Sequence, residues 1–509
     1  MTIEIRLDEI ERKLADPDGD FQLASRAALA YLRRHGQLAA LLDTLAKEGA
    51  QRAAELFFQK AGGQALASTP LFLQALKSGF VADGDIEEFL CAVRRYLLED
   101  PKRAFDLLGD PAYATFAVAL AIQLYNNEHV WLESDSESRA LQALLSEPFT
   151  WKSPADGRRL LCAALYRPVG ELMKNCPRDP TLMKALDPGF AAFASSVLKA
   201  ESEEAAIIKG LDRLTPVENA TSKNIASQYR MHPYPRWLGI HRADPSSTRR
   251  QLGRIFGHKE AAFLDRPFKV LIAGCGTGAQ AIAEAYAYGR NAEILAVDIS
   301  QASLAYAVRM ARRHDLPKLR FALADILELG RIGDRFDVIE CAGVLHHLAE
   351  PEAGLDVLRS LLEPGGIMYL ALYSTAARRD ITKLRGRIAS EGIPDDPQSL
   401  RQFRHRLLFE ESCPSVIRQA DDVHCLSPLH DLLFNRVEHT YGPGEIAAML
   451  KRARLEFRGF LLDAEARKAF AAHFPQPGQE LNLDAWATFE LTRPETFRLM
   501  YHFWCRAGE

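Results

Sequence analysis

The chain has 509 residues, with 63 Lys+Arg against 67 Asp+Glu and a formal net charge of −4. It is too long for one small module and carries no overall basic field of the kind that holds a polyanion, so no nucleic-acid partner is expected. With 48% hydrophobic and 26% charged residues the composition excludes a mainly disordered chain. The most apolar stretch, Ala114 to Tyr125, is shorter than the about 20 residues that cross a bilayer. The charged start Met-Thr-Ile-Glu-Ile-Arg lacks the apolar block of a signal peptide. A cytoplasmic location without membrane association is the expectation.

Residues 1–218 are rich in Ala and Leu, and apolar residues recur at helical steps, as in Phe72, Leu76 and Phe80 or Ile86, Phe89, Leu90, Val93 and Leu97. This predicts an all-helical domain, with helix ends at 61–63 (Ala-Gly-Gly), 109–111 (Gly-Asp-Pro) and 187–189 (Asp-Pro-Gly). Fixed-offset helix-pair repeats are not found, and a degenerate helical solenoid is compatible with the pattern. Residues 219–265 read as an aromatic and proline strip: Tyr229, Tyr234 and Trp237 surround Pro233 and Pro235, which predicts a stiff segment laid over another surface.

From residue 266 to 509 strand and helix alternate. Lys269–Ala273, Glu293–Val297, Leu319–Leu323, Phe336–Cys341 and Gly366–Tyr373 read as strands, and Ala279–Tyr288 and Ala302–Arg313 as helices. That is the pattern of an α/β parallel sheet with helices on both faces. A long helical insertion at about 374–441 predicts a cap over the ligand edge. Its arginines, Arg378, Arg379, Arg385, Arg387, Arg401, Arg404 and Arg406, are interspersed with acids and read as a solvated face.

The 8 cysteines are scattered without a C-x-x-C pair, which argues against a disulfide scaffold or zinc ribbon. His424, Cys425, His430 and His439 are near one another in sequence, but adjacent His and Cys rarely aim at one ion, and no metal is expected.

Val270 to Gly278 reads as a strand, a glycine-rich turn (Gly274, Cys275, Gly276, Thr277, Gly278) and a helix start. Glycines allow the sharp turn and the close approach of a ligand, and free N–H groups at the helix start favour an acceptor. Gly274, Gly276 and Ala279 also satisfy G-x-G-x-x-G/A, so a dinucleotide reading stays open. Asp298 ends the next strand, where a carboxylate accepts from ribose hydroxyls. Asp325-Ile326 follows the third strand, the fourth runs into 340–348 (Glu-Cys-Ala-Gly-Val-Leu-His-His-Leu), and 361–366 (Leu-Leu-Glu-Pro-Gly-Gly) precedes the fifth.

With these five motifs in order, the sequence resembles the class I S-adenosylmethionine-dependent methyltransferases over about Lys269 to Tyr373. The resemblance implies a seven-stranded Rossmann-like methyltransferase sheet with an antiparallel last strand; 456–462 and 500–506 would be its last two strands. The family usually has an acid two positions before the first glycine, where this chain has Ile272. The larger layout is similar to bacterial methyltransferases with helical or tetratricopeptide-like N-terminal extensions and, at the level of architecture, to the rickettsial protein lysine methyltransferases.

The resemblance implies S-adenosyl-L-methionine as cofactor and S-adenosyl-L-homocysteine as product. Gly274, Cys275, Gly276 and Gly278 would lie beneath its methionine part, Asp298 and Ile299 at the ribose, Asp325 and Ile326 at the adenine, and Cys341 and Ala342 near the amino group. Catalytic candidates are Tyr229, His346 and His347, and substrate-facing candidates are Tyr234, Trp237, Asp431 and His439. A protein or peptide side chain, such as a lysine nitrogen, is the first acceptor expected. A small-molecule acceptor, a non-catalytic scaffold and a nicotinamide dehydrogenase are the alternatives, and a homodimer is compatible with the helical block.

Overall fold

The computed structural model describes residues 7–16, 19, 21–59, 61–146, 154–174, 186–231, 237, 239–240, 242–435 and 437–508. They form two compact units. The first comprises Met1–Ser202, Leu238–His241 and Gly392–His430, the second Glu203–Trp237, Arg242–Glu391 and Asp431–Glu509.

The first unit is helical. Three of its helices start where an Asp cap precedes a good first-turn residue: Asp83 accepts from the Asp85 and Ile86 N–H groups, Asp100 precedes Pro101, and Asp110 precedes Pro111. The expected break at 61–63 falls where helix Ala50–Gln59 has ended and helix Ala61–Ala67 begins. A Cβ on Gly63 would sit 1.8 Å from the Phe57 carbonyl, so this glycine lets two helices meet. Phe57 is the hub of the core, with Phe116 and Phe89 rings at 4.9 Å and 5.7 Å and the Tyr113 hydroxyl donating to its carbonyl at 2.9 Å. No single helix among the described residues is long and apolar enough to cross a membrane.

The expected cap at 374–441 divides between the units, residues 392–430 grouping with the helical one. The reason is a buried ion pair. Arg404, 1% exposed, donates to both Glu87 oxygens at 2.6 Å and 2.7 Å, and Arg401 Nε donates to the His129 carbonyl at 2.6 Å. The arginines therefore do not make one solvated face: Arg378 and Arg404 are fully buried and carboxylate-paired.

The second unit holds a seven-stranded sheet of order β3-β2-β1-β4-β5-β7-β6, built from β1 (Phe268–Ala273), β2 (Ala292–Asp298), β3 (Leu319–Leu323), β4 (Phe336–Ala342), β5 (Leu362–Tyr373), β6 (Leu455–Phe460) and β7 (Met500–Ala507). The first five strands pair in parallel, and β7 lies antiparallel between β5 and β6. Alternate residues enter opposite cores: Leu271, Val297 and Ile339 on one face, Val270, Ile272 and Val338 on the other. Both faces are apolar because both are covered.

The 219–265 segment, expected as a stiff strip, is in part helical. It contains helices Ala220–Met231 and Pro245–Phe256, each with a side-chain cap, Asn219 accepting from Thr221 N–H at 2.8 Å and Asp244 from Ser246 N–H at 3.2 Å. Capping and helical spacing prevail up to the prolines, and Pro233 and Pro235 lie outside the described residues.

Candidate active site

The carboxyl ends of the parallel strands surround a cavity of about 260 Å³. It lies where the strand order reverses between β1 and β4, the place where an open parallel sheet leaves a crevice.

Its floor is the first half of the turn Gly274–Gly278, where Gly274, Cys275 and Gly276 line it. Gly274, Gly276 and Gly278 have φ of 79°, 52° and 84°, values that strain any residue with a Cβ. A Cβ on Gly274 would also lie 2.4 Å from Val344 Cγ2. The Gly276 N–H donates to Asp298 Oδ2 and the Ser300 N–H to Oδ1, both at 2.8 Å, which ties the acid at the end of β2 to the turn. Burial pushes the Asp298 pKa up against the opposing N–H bonds of Ser300, Gly276 and Ile299. Each carboxylate oxygen has further acceptor capacity, and Asp298 lines the cavity.

Asp325, 1% exposed, follows β3. Its Oδ1 accepts from Leu327 N–H at 3.0 Å and its own N–H donates to Thr215 Oγ1 at 2.8 Å. Residues 212–214 extend the sheet edge beside it, with Leu214 N–H donating to the Leu323 carbonyl at 3.0 Å. Asp325 Oδ2 is buried at the cavity with no partner among the described residues. An acceptor left so costs about 1–3 kcal/mol, so the site suits a donor that the protein does not supply.

One wall comes from helix Ala220–Met231 through Ser222, Ile225 and Tyr229. The Tyr229 hydroxyl donates to Asp431 Oδ1 at 2.8 Å, and Asn435 Nδ2 donates to the same oxygen at 2.9 Å. The opposite end is formed by Val344, His347, Leu348, Tyr373 and Met500. His347 Nδ1 stands 2.9 Å from the Val437 carbonyl. Only an N–H can meet a carbonyl, which places a proton on Nδ1, so that in the neutral tautomer Nε2 is the basic nitrogen.

The cavity thus gathers Gly274, Cys275, Gly276, Asp298, Ile299, Asp325, Ile326, Ala342, Tyr229 and His347 among the expected residues. Others stand outside it. Gly278 packs on Ala307, whose Cβ would be 2.6 Å from an added one. Cys341 is fully buried in the opposite core, its thiol pushed up to about 12 by burial. His346 does not line the cavity. It is fully buried, stacked 3.7 Å from the Tyr373 ring, with both ring nitrogens unpartnered among the described residues. Burial, then His347, Arg378 and His439, hold it well below the ordinary histidine range, so it is a neutral packing ring rather than a base.

Trp237 donates to the Thr277 carbonyl at 3.0 Å and so braces the turn from outside. Asp431 stands behind the cavity and bonds to its lining residue Tyr229, and the His439 backbone N–H donates to the His346 carbonyl at 2.9 Å. Tyr234 lies outside the described residues. Sequence reading missed Ser222, Ile225, Gln280, Tyr373 and Met500. Tyr373, as the last residue of β5, and Gln280, in the first turn after the glycines, occupy positions where ligands are met; Ser222, Ile225 and Met500 carry no local signal.

Residues 264–402 match the methyltransferase-domain family. A 127-residue stretch is 38% identical to an uncharacterized protein of Synechococcus, covering 25% of this chain and 30% of that one. Another of 184 residues is 29% identical to a ubiquinone biosynthesis O-methyltransferase of Idiomarina loihiensis, covering 35% and 68%. The chain thus spans between about a third and two thirds of the length of these relatives. Among solved structures, PKMT2 from Rickettsia typhi overlaps with a TM-score of 0.38 at 18% identity, covering 52% of each chain. Residues 264–402 therefore belong to the methyltransferase-domain family, and the sheet unit is a class I S-adenosylmethionine-dependent methyltransferase domain.

Proposed function

We propose that the whole protein is a methyltransferase acting on a nitrogen of a protein or peptide side chain, lysine being the acceptor whose chemistry suits the cavity best. The observation that carries the reading is the pairing of a glycine turn fixed to Asp298 with a buried, unpartnered Asp325 Oδ2 in one cavity. The donor set suits S-adenosylmethionine: Asp325 would take the adenine amino group, Asp298 the ribose hydroxyls, and the turn the methionine part. When bound, that cofactor supplies an activated methyl group on a sulfonium.

The protein's own task is then alignment, exclusion of water and proton removal. Among the described residues the lining includes the carboxyl groups of Asp298 and Asp325 and no Lys or Arg, which suits a cation. An ammonium acceptor must lose a proton before it attacks. Tyr229, its hydroxyl directed to Asp431, would hold the acceptor, and His347 Nε2 would take the proton. A second reading, a small-molecule acceptor, is favoured by the quinone-related names of relatives such as the Idiomarina enzyme and the demethylmenaquinone methyltransferase of Clavibacter sepedonicus, 32% identical over 105 residues.

The two separate on incubation of the full chain and methyl-labelled cofactor with a lysate of cells lacking it. Label in a protein band is expected, and label only in the small-molecule fraction removes the protein acceptor. Calorimetry with S-adenosylhomocysteine tests the cofactor step: heat with the unaltered chain and none with Asp298→Ala is expected, whereas no heat with either leaves only a scaffold.

A further inference from the structure

Behind the cavity lies a cluster of buried acid that the reaction above does not use. Glu340 of β4 is 2% exposed. Its Oε2 accepts from Gln280 Nε2 at 2.7 Å and its Oε1 from the Tyr288 hydroxyl at 2.5 Å. Glu284, one helical turn from both, shares the site, and its pKa is pushed well up by burial and then by Glu340. Glu340 itself is pushed up to about 7 by burial, against its bonds to Tyr288 and Gln280. The Tyr369 ring of β5, its hydroxyl 2.7 Å from His502 Nδ1, also faces the pair, and Ile272 lies level with Glu340 across the β1–β4 register.

No carboxylate is buried without cost, and among the described residues neither acid interacts with a cation. What the cluster does have is an outlet. Gln280 lines the cavity beside the glycine turn, while Glu340 does not touch it. An ionised carboxylate accepts only, so it dictates that the Gln280 amide turn its NH₂ inward. The Gln280 carbonyl oxygen is left as the acceptor for whatever lies against the turn, with the charge of the ionised Glu340 behind it.

Resting on the cofactor reading above, we propose that Gln280 binds the α-ammonium of the cofactor's amino-acid part through its carbonyl oxygen, with Glu340 as the positioning residue that fixes the amide. The acid missing at Ile272 is thereby supplied one strand away.

The test compares two ligands, S-adenosylhomocysteine and its analogue with hydrogen in place of the α-amino group, by calorimetry on the full chain. A hydrogen bond to a charged group is worth about 1.5–3 kcal/mol, roughly ten- to a hundredfold in affinity. Gln280→Leu is expected to weaken S-adenosylhomocysteine by that factor and to leave the des-amino analogue within twofold. Glu340→Gln, which keeps the volume, is expected to give a smaller loss with the same ligand preference. For the unaltered chain, S-adenosylhomocysteine affinity should rise with pH as Glu340 ionises, with the analogue flat. Equal losses for both ligands, or none, overturn the assignment. Binding of neither ligand by the unaltered chain overturns the cofactor reading instead, which makes the two failures distinct.

Discussion

His346 and His347 are adjacent in sequence and opposite in chemistry. His347 reaches the cavity with Nδ1 on the Val437 carbonyl, whereas His346 is sealed against Tyr373 with no partner for either nitrogen among the described residues. Two unpaired buried nitrogens cost about 1–3 kcal/mol each. His346→Phe keeps the stacked ring and removes both, so it should raise the melting temperature and leave turnover within twofold. His347→Phe should lower kcat about a hundredfold, the usual scale for losing a general base. Tyr229→Phe, which strips the hydroxyl from Asp431, should raise KM for the acceptor more than it lowers kcat. Steady-state kinetics of the three variants distinguishes these roles; an inactive His346→Phe that still folds would reverse them.

At the scale of elements, the glycine turn works because it is wedged. Gly274 combines a φ of 79° with a Cβ position 2.4 Å from Val344 Cγ2. Gly274→Ala therefore meets two penalties, backbone strain of about 1–3 kcal/mol and a clash. Adding Val344→Ala removes only the clash. The double variant should recover part of the stability lost by the single one, read from denaturant midpoints, and remain below the unaltered chain. Full recovery would mean that φ costs nothing here.

At the scale of the molecule, the helical unit is held by buried charge and by a buried neutral histidine. Removing one partner of a buried ion pair costs about 3–5 kcal/mol, so Arg404→Met should destabilise that unit by this amount and expose 392–430 to proteolysis. His129 is buried, with Nε2 at 3.2 Å from the Ala164 carbonyl. Burial, with a contribution from Arg401 against the bond to Ala164, holds its pKa down to about 3. The unfolded chain binds a proton there below about pH 6.5 and the folded one does not. The stability from this group is full above that pH and falls as pH drops toward 3. His129→Gln, which can still donate to Ala164, should flatten that fall in pH-dependent thermal unfolding.

The strands at β1 to β5 were legible within one or two residues, except that β5 starts at Leu362 rather than Gly366, because period-two burial and glycine turns are written locally in the chain. The same holds for Gly274, Asp298 and Asp325, each fixed to a strand end. Segments held by distant partners were not legible. The partner of Arg404 is Glu87, 317 residues away, and the cavity wall at Ser222 and Ile225 belongs to a helix preceding the sheet. Short-range sterics and alternation suffice to specify the sheet, its glycine turn and its acids from local residues. Which histidine reaches the cavity, which helices wall it and where the 392–430 segment belongs depend instead on burial and on partners far away in the chain.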